Sequence, residues 1–481
     1  MRKTSPILVV VAMTLTLATI GTASAGERPA LIWQRCDNGQ EECTTIQVPL
    51  NYLDGSGKTI SLEISRISAA RPELRRGVLV LIPGGPGLSG LAKPAQMLTQ
   101  AKKMPQAVLD RYDLIGFDPR GVGASSPVSC DLPDADVAPV MLRPWPAPDG
   151  DITANITAAK RTAEACARNG GDELPNVTSL NNARDLDSIR KALGESKISA
   201  LGVSYGTYVG SLYTTLFPGR TDRVVLDSND DPNPALVGRG WLRNTSIGVA
   251  DRFGDFAAWG AKNGVAATSD AVRAKFLGLA AQLDQHPRPW PGASPPQLDG
   301  NVLRSVMLQS LNSDSGFTAL AALMKAAEGP TLPPPSVVPP AAIQNGVASG
   351  IAPVCNDVAW PRSTDSYAKA VPVDKALFPL TAGMPANIMP CAFWPKPAEA
   401  PVTVTSNGPS NILMVQNLRD PQTPYSGALK MRSALGGRAR LVSVDSGGHQ
   451  SYLQNGNACG DAAVTAFLVT GTRPVTDMLC R

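Results

Sequence analysis

Two rhythms of apolar and polar positions run through the first half of the chain. Thr45 to Tyr52 and Thr59 to Ile67 alternate around Asp54-Gly55-Ser56-Gly57, which predicts two strands joined by a turn. Gly77-Val78-Leu79-Val80-Leu81-Ile82 and Tyr112-Asp113-Leu114-Ile115-Gly116-Phe117 are nearly continuous apolar runs, the pattern of strands buried on both faces. The stretch 92–109 between them reads as a helix. Leu186, Ile189 and Leu193 recur at helical spacing before a short strand, Lys197 to Leu201. Tyr205 to Phe217 reads as a helix stopped at Pro218-Gly219, and Arg223 to Leu226 as a further strand. Strands and helices in this alternation predict a mostly parallel sheet with helices on both faces.

After Asp231 the alternation stops. The segment 232–405 carries helix-like stretches, 270–283, 302–311 and 317–328, and then the proline-rich passage Gly329 to Pro340. It reads as a large, mainly helical insertion with one long irregular loop. Alternation resumes with a strand over Asn411 to Val415, a helix, a strand over Ala439 to Val444, and a closing helix over 462–468. The expected organisation is a leader at 1–25, a core split into 26–231 and 406–481, and a cap over 232–405.

The leader has the form of an export signal: Arg2 and Lys3, an apolar middle from Ile7 to Ile20, and Ala23-Ser24-Ala25 as a cleavage site. No later segment is long and apolar enough to predict a membrane span. The net charge is only +4, and smaller once Arg2 and Lys3 are set aside, with no basic run interleaved with aromatics. Nucleic acid and anionic membrane are therefore not expected partners. The chain is expected to be secreted, extracellular and monomeric. Eight cysteines in an exported chain predict disulfides. Of about 105 pairings, the sequential one is favoured, because each of Cys36/Cys43, Cys130/Cys166, Cys355/Cys391 and Cys459/Cys480 brackets one short segment. With no C-x-x-C and two histidines in all, neither a metal nor another cofactor is expected.

The chemistry is concentrated in Gly202-Val203-Ser204-Tyr205-Gly206, a G-x-S-x-G between a strand and a helix. That context is a nucleophile elbow, in which the glycines let a tight turn hold the serine hydroxyl clear of the sheet. A serine needs a base, and the base an orienting carboxylate, in chain order Ser, acid, His. His449, in Ser446-Gly447-Gly448-His449, follows the last core strand. His286 sits at the end of an expected cap helix and reads as a structural or capping residue. Asp420, between a strand end and Pro421, is the favoured acid; Asp230, Asp231 and Asp445 are its rivals. The oxyanion donors are expected to be the backbone N–H of Tyr205 and of Gly85, in Pro83-Gly84-Gly85-Pro86-Gly87.

With those residues placed, the chain resembles the secreted tripeptidyl and prolyl aminopeptidase-like α/β-hydrolases of actinobacteria. The resemblance is carried by Gly84-Gly85-Pro86-Gly87, Asp118-Pro119-Arg120-Gly121-Val122-Gly123, Ala183-Arg184-Asp185-Leu186-Asp187, the elbow with Thr207-Tyr208, Val224-Val225-Leu226-Asp227, Asp420 with Thr423-Pro424, and Gly448-His449. In the cap it rests on Cys355-Asn356-Asp357 and on Cys391 with Trp394-Pro395. It implies an α/β-hydrolase fold, the triad Ser204, Asp420 and His449, exopeptidase activity, and the sequential disulfides. Leu88 departs from a usual glycine, and Ser228-Asn229-Asp230-Asp231 from the usual Gly-Val-Val-Asp.

An aminopeptidase must also hold a free amine, and Asp230, Asp231 and Asp357 are the candidate carboxylates. The leading expectation is release of N-terminal residues or short peptides through an acyl-enzyme. An esterase or amidase acting on a small secondary metabolite keeps the same chemistry on another substrate. A non-catalytic binding protein on a hydrolase scaffold is the third reading.

Overall fold

The computed structural model describes Met1 and residues 31–481, apart from 37, 38, 40, 138–142, 336 and 337. Beyond Met1, the expected export signal lies outside the described residues. The chain separates into two units, Met1–Ile32 and Trp33–Arg481. Only Met1, Leu31 and Ile32 of the first are described, and everything below concerns the second.

The strands of the first part are β1 (Gln34–Arg35), β2 (Glu42–Pro49), β3 (Thr59–Ile67), β4 (Gly77–Ile82), β5 (Tyr112–Phe117), β6 (Ile198–Val203) and β7 (Thr221–Asp227). A two-stranded hairpin, β8 (Arg288–Pro289) with β9 (Gln297–Leu298), stands apart. The main sheet is completed by β10 (Ile412–Arg419), β11 (Ala439–Gly447) and β12 (Met478–Cys480). Among the described residues its order is β1-β2-β3-β5-β4-β6-β7-β10-β11-β12. The pairings from β1 to β5 through β2 and β3 are antiparallel; from β5 through β4 to β12 all are parallel. This is the mostly parallel α/β sheet expected from the alternating pattern.

The helices are α1 (Lys93–Thr99), α2 (Gln106–Leu109), α3 (Thr153–Asn169), α4 (Ser179–Ala192), α5 (Tyr205–Leu216), α6 (Val237–Lys262), α7 (Ser269–Gln285), α8 (Gly300–Ser310), α9 (Ser315–Glu328), α10 (Pro340–Asn356), α11 (Thr364–Leu377), α12 (Tyr425–Leu435) and α13 (Ala458–Thr470). The single helix expected over 92–109 is two short ones, because the chain must turn at Pro105, which caps α2.

Period-two geometry explains why the inner strands read as unbroken apolar runs. Leu79, Leu81, Leu201, Val225, Leu413 and Val415 face a core shared with Val108, Val464 and Phe467. Their neighbours face the other side: a Cβ on Gly210 of α5 would stand 3.1 Å from Leu226 Cδ2 and 3.5 Å from Ile82 Cδ1. Both faces are covered, so polar positions are few.

A second apolar core lies outside the sheet. Phe253 and Phe256 of α6, Phe276 of α7, Met307 of α8, Phe317 of α9 and Met384 belong to it. Trp145, from the segment before α3, is also buried there and donates from Nε1 to Ser305 Oγ at 2.9 Å. Helices α7 and α8 are N-capped by Thr268 and Asp299, whose side chains accept from Ala271 N and Val302 N. His286 is the C-cap residue of α7, the capping role read for it.

The four sequential disulfides are formed: Cys36–Cys43, Cys130–Cys166, Cys355–Cys391 and Cys459–Cys480. Among the described residues no helix is long and apolar enough to cross a membrane.

Candidate active site

Open parallel sheets present their loops for chemistry at the C-terminal ends of the strands. Gly84 and Gly85 follow β4, Ser204 follows β6, Asp227 to Asp230 end β7, Asp420 follows β10 and His449 follows β11. Five neighbouring strands therefore deliver their ends to one edge.

Ser204 has φ 56° and ψ −126°, a left-handed conformation rare for a residue with a Cβ. Two glycines make that turn fit. A Cβ on Gly202 would run into the carbonyl oxygen of Gly206, and one on Gly206 would lie 2.5 Å from the Ile82 carbonyl. Tyr205 opens α5, so its backbone N–H is among those that a helix leaves without an internal acceptor. Gly84 comes close enough that an added Cβ would stand 3.2 Å from Ser204 Cβ. Ser204 lines a cavity of about 180 Å³ together with Gly85, Asp230, Trp241, Gln422 and Thr423.

Asp420 is fully buried and fully used. Its Oδ1 accepts Gln422 N and Thr423 N at 2.9 and 3.0 Å, and its Oδ2 accepts Thr423 Oγ1 at 3.0 Å. Both oxygens stand 3.0 Å from His449 Nδ1. The histidine backbone is fixed as well: His449 N donates to Asn312 O at 2.9 Å, and Asn455 Nδ2 donates to His449 O. Burial works to lower the imidazole pKa. The Asp420 charge and hydrogen bond, with Asp227 and Asp230 behind, outweigh it and leave the value raised. The Ser204 hydroxyl has no hydrogen-bond partner among the described residues.

The elbow and the histidine loop share an anchor at the end of β7. Ser204 N donates to the Asp227 carbonyl at 3.0 Å. The Asp227 carboxyl accepts Ser451 N and Tyr452 N at 2.8 and 2.9 Å, and Ser228 Oγ accepts Gln450 N at 2.9 Å. Burial pushes the Asp227 carboxyl up to about 7.

The three candidate amine carboxylates part company. Asp230 lines the Ser204 cavity, and burial pushes it up to about 7, with Asp420 and Asp231 adding to the rise against His449. Asp231 is bound to Lys430 Nζ at 2.5 Å and turns the chain through Asn233 N. Asp357 lines a different cavity, where its Oδ1 accepts Ser179 N at 2.9 Å. Asp445, a rival for the acid, is held by Arg419 at 2.7 Å.

The family model of TAP-like proteins matches residues 379–480, the stretch that holds Asp420 and His449. Over 96% of its length the chain is 33% identical to the tripeptidyl aminopeptidase of Streptomyces lividans, covering 88% of that protein. It is 32% identical to the serine protease Hip1 of Mycobacterium tuberculosis over 91% of this chain and 87% of that one. The chain belongs to the tripeptidyl aminopeptidase family.

Hydrogen bonds account for most of the positions where this chain departs from the pattern expected of tripeptidyl aminopeptidases. Ser228 and Asn229 are structural. Ser228 tethers Gln450, while Asn229 N donates to Gln416 Oε1 at 2.7 Å and Asn229 Nδ2 reaches Val415 O at 3.1 Å. Leu88 is exposed. The motif around Arg120 is structural too. Its guanidinium grips Asp185 through two bonds of 2.7 and 2.6 Å and also donates to the carbonyls of Leu50, Pro49 and Asn176.

Two features of this site carry no role in the sequence reading. Asp227 is one: an acid closing the apolar run Val224-Val225-Leu226 was the signal for it. The other is the loop between α8 and α9, whose Asn312 carbonyl accepts from His449 N; nothing in its sequence marks it.

Proposed function

We propose that the protein is an exported serine aminopeptidase that releases N-terminal residues or short peptides through an acyl-enzyme on Ser204. One observation carries the reading: the His449 imidazole lies 3.0 Å from both oxygens of a buried carboxylate, on a loop tied through Asp227 and Ser228 to the elbow bearing Ser204. In this reading Asp420 fixes the tautomer, so that Nδ1 donates to the carboxylate and Nε2 is free to accept the Ser204 proton. The Ser204–His449 hydrogen bond closes with substrate in place, as catalytic bonds commonly tighten in the Michaelis complex. Ser204 Oγ then attacks the scissile carbonyl. The N–H of Tyr205, supported by the backbone at Gly85, receives the oxyanion. His449 passes its proton to the leaving amine and afterwards activates water for deacylation.

Asp230 is the anchor for the substrate amine, being the candidate acid that shares a cavity with Ser204. Residues 232–405 form the cap that roofs the site. The names of the relatives favour peptides as substrates. Four disulfides favour an oxidising destination.

The test joins labelling with turnover. A fluorophosphonate should modify Ser204, and Ser204→Ala should abolish labelling and cut kcat by about six decades. Aminoacyl and tripeptidyl chromogenic amides should be cleaved, and N-acetylation should suppress their cleavage. Activity on simple esters alone, indifferent to N-acetylation, would replace the peptidase reading with an esterase one.

A further inference from the structure

Behind the cavity that holds Ser204 lies a larger one of about 520 Å³, a volume typical of ligand sites (about 300–1,000 Å³). The two share Pro86, Arg143, Val354 and Met389, which therefore stand at the boundary between them. Three of these are apolar. The fourth brings a guanidinium to the junction.

The segment carrying Arg143 is fixed from both directions. Arg143 O accepts Trp145 N at 2.8 Å. Pro144 O accepts from the buried Asn387 Nδ2 at 2.7 Å, and Trp145 O accepts Asn155 Nδ2 at 2.9 Å. Beyond it, the Trp145 ring is locked in the second core. The Arg143 side chain itself has no hydrogen bond or ion pair with any described residue. Burial alone acts on it, lowering its pKa, and no acid restores the value. The buried arginines among the described residues are all engaged: Arg120 by Asp185, Arg252 by Asp255 and Asp314, and Arg304 by Asp284, while Arg438 and Arg223 donate to backbone carbonyls of Thr405, Thr214 and Leu468. Asp230 lines the same cavity as Arg143, yet no ion pair joins them.

Arg143 is half-buried and lines both cavities, so its unpartnered guanidinium faces the space a ligand would fill, and an anion placed there gains a charge-assisted bond. The planar fork of a guanidinium matches a carboxylate, which it binds through two parallel hydrogen bonds. We infer that Arg143 is the receptor for a substrate carboxylate, seated at the boundary of the Ser204 cavity and the larger chamber. The inference rests on the reading of Ser204 as nucleophile and deepens it. With Asp230 taking the amine, the pocket offers one site of each sign, suited to a peptide that carries a negative group close to the scissile bond. That group is either the α-carboxylate of a short free peptide or an acidic side chain beside the cleaved bond.

Two matched substrate pairs distinguish the sources: a tetrapeptide as free acid against its C-terminal amide, and a tripeptidyl p-nitroanilide ending in Glu against the same one ending in Gln. The full chain should favour the carboxylate member of one pair by about 10- to 100-fold in kcat/KM, the range for hydrogen bonds to a charged partner. The pair that responds names the source. Arg143→Gln should bring that ratio close to one, and Arg143→Lys, which keeps the charge and loses the fork, should leave an intermediate ratio. Thermal unfolding checks that both variants are folded. No preference in either pair for an enzyme that cleaves the neutral members overturns this inference alone, as does a folded Arg143→Gln variant that keeps the ratio. Failure to cleave any of the four, with no fluorophosphonate labelling at Ser204, overturns the nucleophile reading and this inference with it.

Discussion

The backbone N–H of Ser204 donates to the carbonyl of Asp227 at 3.0 Å, while the carboxyl of that same aspartate accepts Ser451 N and Tyr452 N, just beyond His449. One residue at the end of β7 thus spans the elbow and the histidine loop. Geometry that neither could keep alone is shared through it.

Removing that span should slow the chemistry without touching the reacting groups. Asp227→Ala leaves two buried N–H groups without acceptors, each worth about 1–3 kcal/mol. Kcat should fall by about 10- to 100-fold and the thermal midpoint should drop. Asp227→Asn, which keeps one acceptor, should sit between. Wild-type kcat in a folded Asp227→Ala variant would show that the histidine loop is held by other means.

The pH profile follows from His449. An imidazole ordinarily titrates near 6.5. Burial lowers that of His449, but Asp420 outweighs burial and the net shift is upward. In the proposed mechanism His449 is the base and works only when neutral, so kcat/KM should fall as pH drops through the raised value, with the acid limb above 6.5. Asp420→Asn removes the chief raising charge: the limb should move to lower pH and the plateau fall by about four decades. A limb that stays in place in Asp420→Asn would assign the titration to another group.

Helix α6 lies directly on the loop of the acid. A Cβ on Gly248 would stand 2.7 Å from the carbonyl oxygens of both Asp420 and Pro421. Gly248→Ala must therefore push helix and loop apart. A misplacement on the order of 1 Å at a catalytic group costs about 100-fold, so kcat should fall by about that much. Overpacking should also cost about 1–3 kcal/mol of stability. The unfolding midpoint and kcat, measured on the same preparation, check both.

Arg120 should behave differently. Its pair with Asp185 is buried, so cutting it strands a charge. Arg120→Met should destabilise the fold by about 3–5 kcal/mol. The kcat of the folded fraction should stay within a few-fold of normal. Chemical denaturation gives the first quantity and active-site titration with a fluorophosphonate normalises the second.

Much of the core was legible because burial on both faces leaves a plain signature. The runs 59–67, 77–82 and 112–117 are strands over those same residues. The segment 232–405 was less so. Helix α6 carries Gly248 and Gly254 inside it, and Pro353 and Pro372 stand within α10 and α11, which masked helices held by packing rather than propensity. Helix α3 and strand β12 also went unread. At the site, Ser204, Asp420 and His449 stood out through spacing and the scarcity of histidine. The contacts of Asp227 and Asn312 and the cavity position of Arg143 arise from the folded neighbourhood, and no periodicity announces them.

The stretch from Pro144 to Pro148 has one last consequence. A lid hung only from its two chain ends swings like a door. Here Trp145 is plugged into the second core, Asn387 holds Pro144 O, and Lys375 Nζ reaches Pro148 O at 2.5 Å. The helical layer is therefore pinned at a third corner by chain that precedes the elbow, and opening it would mean unplugging an aromatic ring. Any outward movement of α6 to α9 as one body would have to draw the Trp145 ring out of the second core or carry residues 144–148 along with it.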